Sequence, residues 1–243
     1  FQWKNHFNTH PSDFFTLQEL TGEPSNKSLS GNIILGQNVF DTSRRTAQSV
    51  AGQQEVHGRR VTVVDTPGWW WHYPLENTPK LDQIEIQNSV HLCPPGPHAF
   101  LLVFHHSFFI AVQEHMRLFR DDVWKHTIVL FTRGDWLGVK TVEERIESEE
   151  GLQWLMKQCG NRYHVLDNMK DDDEMQVQDL LEKIEEMWAG NEDSHYKVDP
   201  DREAQLEARK EAEGKLARWI RKTTKRQSRI LGKLFEGNQE IIK

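Results

Sequence analysis

The chain has 243 residues, 37% hydrophobic and 28% charged, with a formal net charge of −7. Such a composition supports a packed core and excludes a fibrous or disordered chain, while the acidic balance argues against a nucleic-acid binder, which carries a basic surplus to neutralise phosphates. Two cysteines, Cys93 and Cys159, lie far apart with no pairing pattern, so two core thiols in a reducing compartment are expected rather than a disulfide framework.

Residues 1–14 read as an N-terminal extension. The stretch FQWKNHFNTH has no charged segment followed by an apolar run, and no apolar run elsewhere is long enough to span a bilayer, so a cytoplasmic protein is expected, neither secreted nor membrane-spanning. From Leu20, LTGEPSNKSLSGNIILG places Gly22, then the pair Lys27-Ser28, then an apolar run that predicts a helix ending at Gly36. That is the outline of a phosphate-binding loop. Three β-branched and aromatic runs follow, RRVTVVDTPG from Arg59, HAFLLVFHH from His98 and HTIVLFTRGD from His126, and read as buried strands of a covered parallel sheet; RYHVLD from Arg162 adds a fourth. Helical patterns lie between them, at Val112 to Trp124, from Val142 to Cys159 and from Met175 to Gly190. The alternation predicts an α/β fold over residues 15–195, a doubly wound, mostly parallel sheet with helices on both faces.

Residues 196–243 read as a C-terminal helical extension, with Leu216, Ile220, Ile230 and Leu234 at helical spacing. Between Lys215 and Lys233 the charges are all basic. An amphipathic basic helix of this kind suits peripheral contact with an anionic membrane, packing against the acidic run Asp171 to Glu174, or a solvated face on a docking helix.

Two further motifs carry chemistry. VVDTPG sets Asp65 at the C-terminal end of a strand, where its carboxylate can hold a Mg²⁺-bound water, and lets the Gly68 N–H approach a terminal phosphate. LFTRGDW, from Leu130 to Trp136, holds Thr132, Arg133 and Asp135. The Asp135 carboxylate can accept paired hydrogen bonds from guanine N1–H and its 2-amino group, and Arg133 can lie over the base. Lys27-Ser28, Asp65 with Gly68, and Thr132 to Asp135 occur in the chain order of a GTP site.

The chain resembles the AIG1-type GTPases, the GTPases of immunity-associated proteins, and looks most like fish members of that group. The resemblance rests on KSLSGNIILG, RRTAQSV, GRRVTVVDTPGWWW, NSVHLCPPGPHAFLLVF, WKHTIVLFTRGDWLG and CGNRYHVLDN, with LCPPGPHAFLLV the box that sets this family apart. It implies a P-loop GTPase-type G domain. By the same resemblance Lys27 would contact the β- and γ-phosphates, Ser28 and Asp65 would serve the Mg²⁺ ion, and Thr46 would be the switch I threonine that closes on it. Gly68 would sense the γ-phosphate in switch II, Asp135 would read guanine, and Asn168 would lie in the loop beside the base. GTP and GDP are the implied ligands, Mg²⁺ the cofactor, and a homodimer paired across the nucleotide face the implied assembly.

The pattern departs from the family at two points. Between Gly22 and Lys27 one residue is lacking and Asn26 stands where a second glycine belongs, while Pro24 removes an N–H from a cradle built of N–H groups. VFHHSFFIAVQEHMRLF is also short for the connection the family has there. Either the site is damaged or residues are lacking from the sequence at those points. After DTPG stand Trp69, Trp70 and Trp71 rather than a glutamine that orients water, and His72 has no obvious partner, so hydrolysis is expected to be slow in the monomer. The tryptophans read equally as a dimer surface or as local packing. The expectation is a guanine-nucleotide-binding switch whose nucleotide state controls self-association; the alternative is a pseudo-GTPase scaffold with weak or no nucleotide binding.

Overall fold

The structure is a computed structural model that describes residues 14–21, 24–69, 73–104, 109–132, 141–168 and 174–198, then 201, 204, 211, 214–215 and 218–227, with backbone alone at 14–21, 24–26, 104, 109–110 and 174. Six strands form one sheet in the order β2-β3-β1-β4-β5-β6. The strands are β1 (Phe14–Thr21), β2 (Val50–Val56), β3 (Arg59–Asp65), β4 (Ala99–Phe104), β5 (Thr127–Thr132) and β6 (Tyr163–Leu166). All neighbours pair in parallel except β2, which runs antiparallel to β3.

Alternation along the central strands explains the layers. On β4, Phe100 and Leu102 point to one face and Ala99, Leu101 and Val103 to the other; on β5, Val129 and Phe131 oppose Ile128 and Leu130. The first face is covered by α2 (Lys80–Asn88), α3 (Phe109–Met116), α4 (Val142–Ser148) and α5 (Glu150–Gln158), the second by α1 (Pro24–Leu35) and α6 (Glu174–Gly190). The doubly wound sheet with helices on both faces is therefore as the sequence predicts. Cys93 and Cys159 are buried thiols that form no disulfide with each other, and burial pushes the Cys159 thiol up to about 11.

Several elements differ from expectation. FFTLQELT, a poor strand by composition, forms β1 because it is flanked by β3 and β4 on both sides. β2 went unread, since VAGQQEV buries only Gly52 of its seven residues on an edge of the sheet. The helix expected from Val112 to Trp124 stops at Met116: Arg120 is extended at ψ 159°, and a 3₁₀ turn at Asp121–His126 replaces the continuation. Phe119 is thereby free to tilt against Phe100, ring centroids 5.2 Å apart. The helix expected from Val142 is two, parted at Glu149 (φ −127°, ψ 113°), and α4 starts with a capping box between Thr141 and Glu144. Gly36, with φ +63°, closes α1 in the left-handed conformation that glycine adopts without strain.

The chain divides into two compact units, 1–198 and 199–243. The first closes with Tyr196, buried against Phe100 and donating its backbone N–H to the Pro97 carbonyl at 2.9 Å. In the second, the described residues are helical; Trp219 and Ile220 are exposed, and Lys215 pairs with Glu211 at 2.8 Å. No helix among the described residues is long and apolar enough to cross a membrane.

Candidate functional site

Parallel strands deliver their C-terminal ends to one edge of the sheet. Here β1 lies between β3 and β4, so the chain leaves the sheet to opposite sides around β1, which opens a crevice at that edge. Helix α1 starts right after β1 and carries Lys27 and Ser28, both fully buried. Pro24 is its first residue, where a missing N–H costs the helix nothing. Apolar Val61, Val63 and Val64 anchor β3 and bring Asp65 to the same edge, 3% exposed.

Three side chains from two separate segments meet on Asp65. Lys27 Nζ forms an ion pair with Oδ1, while the Ser28 hydroxyl donates to Oδ2 at 3.0 Å and the Thr46 hydroxyl to the same oxygen at 2.7 Å. Ser28 Oγ and Thr46 Oγ1 are 3.5 Å apart. Thr46 arrives there because Asn32 organises the preceding turn: its side-chain oxygen accepts from the N–H groups of Val39 and Phe40, and its amide donates to the Phe40 carbonyl. Two hydroxyls and a carboxylate on one point are hard oxygen donors, the set that suits Mg²⁺, and the neighbouring ammonium suits a phosphate. The residues present fit both groups.

Gly68 and Trp69 follow on the buried side of this cluster. The Trp69 ring stacks on His115 of α3, centroids 4.5 Å apart and planes 13° from parallel. His115 Nδ1 lies 2.6 Å from the Ala111 carbonyl and so carries the hydrogen, leaving Nε2 to accept from the Thr78 hydroxyl at 2.7 Å. This neutral imidazole agrees with a pKa lowered by burial. Trp69 is thus local packing. Trp70, Trp71 and His72 lie outside the described residues, as do Gly22, Arg133 and Asp135.

At the far end of the same edge, Thr132 closes β5 with its hydroxyl buried and without a hydrogen-bond partner. Asn168, just past β6, holds both amide atoms buried and unpartnered. Buried polar atoms are nearly always satisfied, so these atoms have hydrogen-bonding capacity left for a water or a ligand. The residue before Asn168, Asp167, donates its N–H to Gln176 Oε1 of α6 at 2.8 Å. Arg45 and Asp82, which bond beside the cluster at 2.5 Å, went unread in the sequence. A basic residue directly before Thr46 was their only signal.

The profile of the AIG1 family matches residues 21–215. GTPase IMAP family member 8 of Homo sapiens is 31% identical over 175 residues, 67% of this chain and 26% of that protein. Immune-associated nucleotide-binding protein 9 of Arabidopsis thaliana is 31% identical over 224 residues, 85% of this chain and 64% of that protein. The chain therefore spans less than two thirds of either relative. Among solved structures, Toc33 from Arabidopsis thaliana in complex with GDP and Mg²⁺ superposes with a TM-score of 0.57 at 17% identity, over 77% of this chain and 88% of that one. At that identity the likeness is one of fold.

Proposed function

The chain belongs to the AIG1 family, and from that premise we propose that it is a guanine-nucleotide-binding switch protein that takes GTP or GDP with Mg²⁺ and uses the nucleotide state to control self-association. The observation that carries this reading is the meeting of Lys27, Ser28 and Thr46 on Asp65 at the C-terminal edge of the sheet. In this reading Lys27 holds the β- and γ-phosphates, and Ser28, Thr46 and Asp65 hold the metal. Bound Mg²⁺ supplies charge neutralisation across the phosphate oxygens. The Gly68 N–H senses the terminal phosphate, Thr132, Arg133 and Asp135 form the guanine-reading loop, and Asn168 lies beside the base. Its two orphaned amide atoms favour that placement.

Hydrolysis, in the same reading, is slow in the monomer. Trp69 stands at the position after DTPG and its ring is committed to His115, so it orients no water. Toc33 is a protein for which dimerization is described as important for GTPase activity, and that supports a homodimer here, paired through the nucleotide face. The basic C-terminal helix is assigned to peripheral contact with anionic cytosolic membrane faces, supported by exposed Trp219 and Ile220 among its bases.

A second reading, a scaffold with weak or no nucleotide binding, is favoured by one feature: α1 starts at Pro24, so Lys27 already sits within the helix and is paired with Asp65. Calorimetric titration of stripped protein with GDP, GTP and ATP in Mg²⁺ separates the two. Micromolar or tighter binding of GDP and GTP but not ATP, abolished by Asp135→Ala, supports the switch; no binding to folded protein supports the scaffold.

A further inference from the structure

Two loops of the candidate site are tied to one helix. Arg45, directly before Thr46, donates from Nη2 to Asp82 Oδ2 at 2.5 Å and to the Gly68 carbonyl at 3.3 Å. Four residues on, the Ser49 N–H donates to Glu85 Oε1 at 2.8 Å, and the Ser49 hydroxyl reaches the Glu85 carbonyl at 3.5 Å. Asp82 and Glu85 stand three apart on α2 and so share one face, the face that meets segment 45–49. Gly68 is held from a second side as well, because the next residue, Trp69, is stacked on His115. The segment that carries Thr46, the turn that carries Gly68 and helix α2 are thus one connected body, and Arg45 touches all three.

We propose that Arg45 is a positioning residue that couples the Thr46 segment to the Gly68 turn through Asp82, so that both respond together to the presence of a third phosphate. The inference rests on the nucleotide-binding reading above. Arg45 and Asp82 bond to none of Lys27, Ser28, Thr46 and Asp65, so neither is a catalytic or metal-binding group. Their effect must therefore appear in the difference between two nucleotide states. A group that supports the site equally in both states shifts the affinities for GDP and for a triphosphate together, whereas a coupling group changes their ratio.

The test measures Kd for GDP and for a non-hydrolysable GTP analogue, together with amide hydrogen exchange of the nucleotide-free protein. Arg45→Ala and Asp82→Ala are each expected to lower the triphosphate-over-diphosphate preference about tenfold, with GDP affinity held within about twofold. The double variant should lose no more than either single one. In the nucleotide-free protein, Asp82→Ala should speed exchange at residues 45–49 and at the Thr66, Gly68 and Trp69 amides. An unchanged preference in both single variants, or losses that add in the double variant, overturns the proposal. Should the unaltered protein bind neither nucleotide, the nucleotide-binding reading falls, and the exchange arm decides alone: faster exchange at Thr66, Gly68 and Trp69 upholds the mechanical coupling, and unchanged exchange overturns it.

Discussion

Asp65 is the residue on which the candidate site depends, because it neutralises an ammonium that has no exposure to water. Removing one member of a buried ion pair strands the other charge, so Asp65→Ala is expected to lower the unfolding free energy by about 3–5 kcal/mol in urea denaturation. Lys27→Met leaves the carboxylate its two hydroxyl donors and should cost less; a larger loss for Lys27→Met than for Asp65→Ala would contradict this account. Asn32 makes a similar argument without charge. Its three hydrogen bonds to the 39–40 backbone are lost together in Asn32→Ala, at about 2–4 kcal/mol. Lys27, Ser28 and Asp65 were legible in the sequence as a Lys-Ser pair before an apolar run and a carboxylate at a strand end, and Thr46 through the family resemblance. Arg45, Asp82 and Asn32 were not, because a lone polar residue announces neither its partner nor the 37 positions that separate Arg45 from Asp82.

At the scale of elements, β4 and β5 read most plainly, because strands buried on both faces require a continuous apolar run. β2 has no such requirement: it buries one glycine and owes its existence to antiparallel pairing with β3 across a two-residue turn at His57–Gly58, both with positive φ. α3 was drawn too long because its apolar spacing continues past Met116, while tertiary contact of Phe119 with Phe100 outweighs local helix propensity. The segment after α6 is likewise decided by packing. A Cβ on Gly96 would lie 1.9 Å from the Tyr196 carbonyl oxygen, a backbone atom. Gly96→Ala must therefore displace residues 195–196 and weaken the bond from the Arg120 N–H to the Tyr196 hydroxyl, now 2.9 Å. The expected cost is about 2–3 kcal/mol in thermal or urea unfolding, and a change within experimental error would show that this segment is not part of the first unit's core.

For the molecule as a whole, the buried histidines set the response to acid. Burial, with the neighbouring His195 and His126, pushes His98 down to about 4, and burial with Lys183 does the same to His164; burial lowers His115 and His126 as well. In the unfolded chain each takes up a proton near pH 6.5. The neutral-state stability is therefore complete above pH 6.5 and declines as pH falls from there towards about 4, since protons bind the unfolded chain first. Stability at about pH 5 should be lower than at about pH 7.5 by roughly 2 kcal/mol for each of His98 and His164. Urea titrations across that range check the sign, and a maximum below pH 6 would refute it.

The central claim is that the cluster on Asp65 is the phosphate and metal end of a guanine-nucleotide site. Titration of fluorescent GDP into the unaltered protein and into Ser28→Ala, each with Mg²⁺ and with EDTA, tests it most directly. The account predicts tight binding that falls at least about tenfold on chelation in the unaltered protein, and binding in Ser28→Ala that is weak and indifferent to Mg²⁺. Equal affinity of both folded proteins for GDP, with or without Mg²⁺, would contradict it.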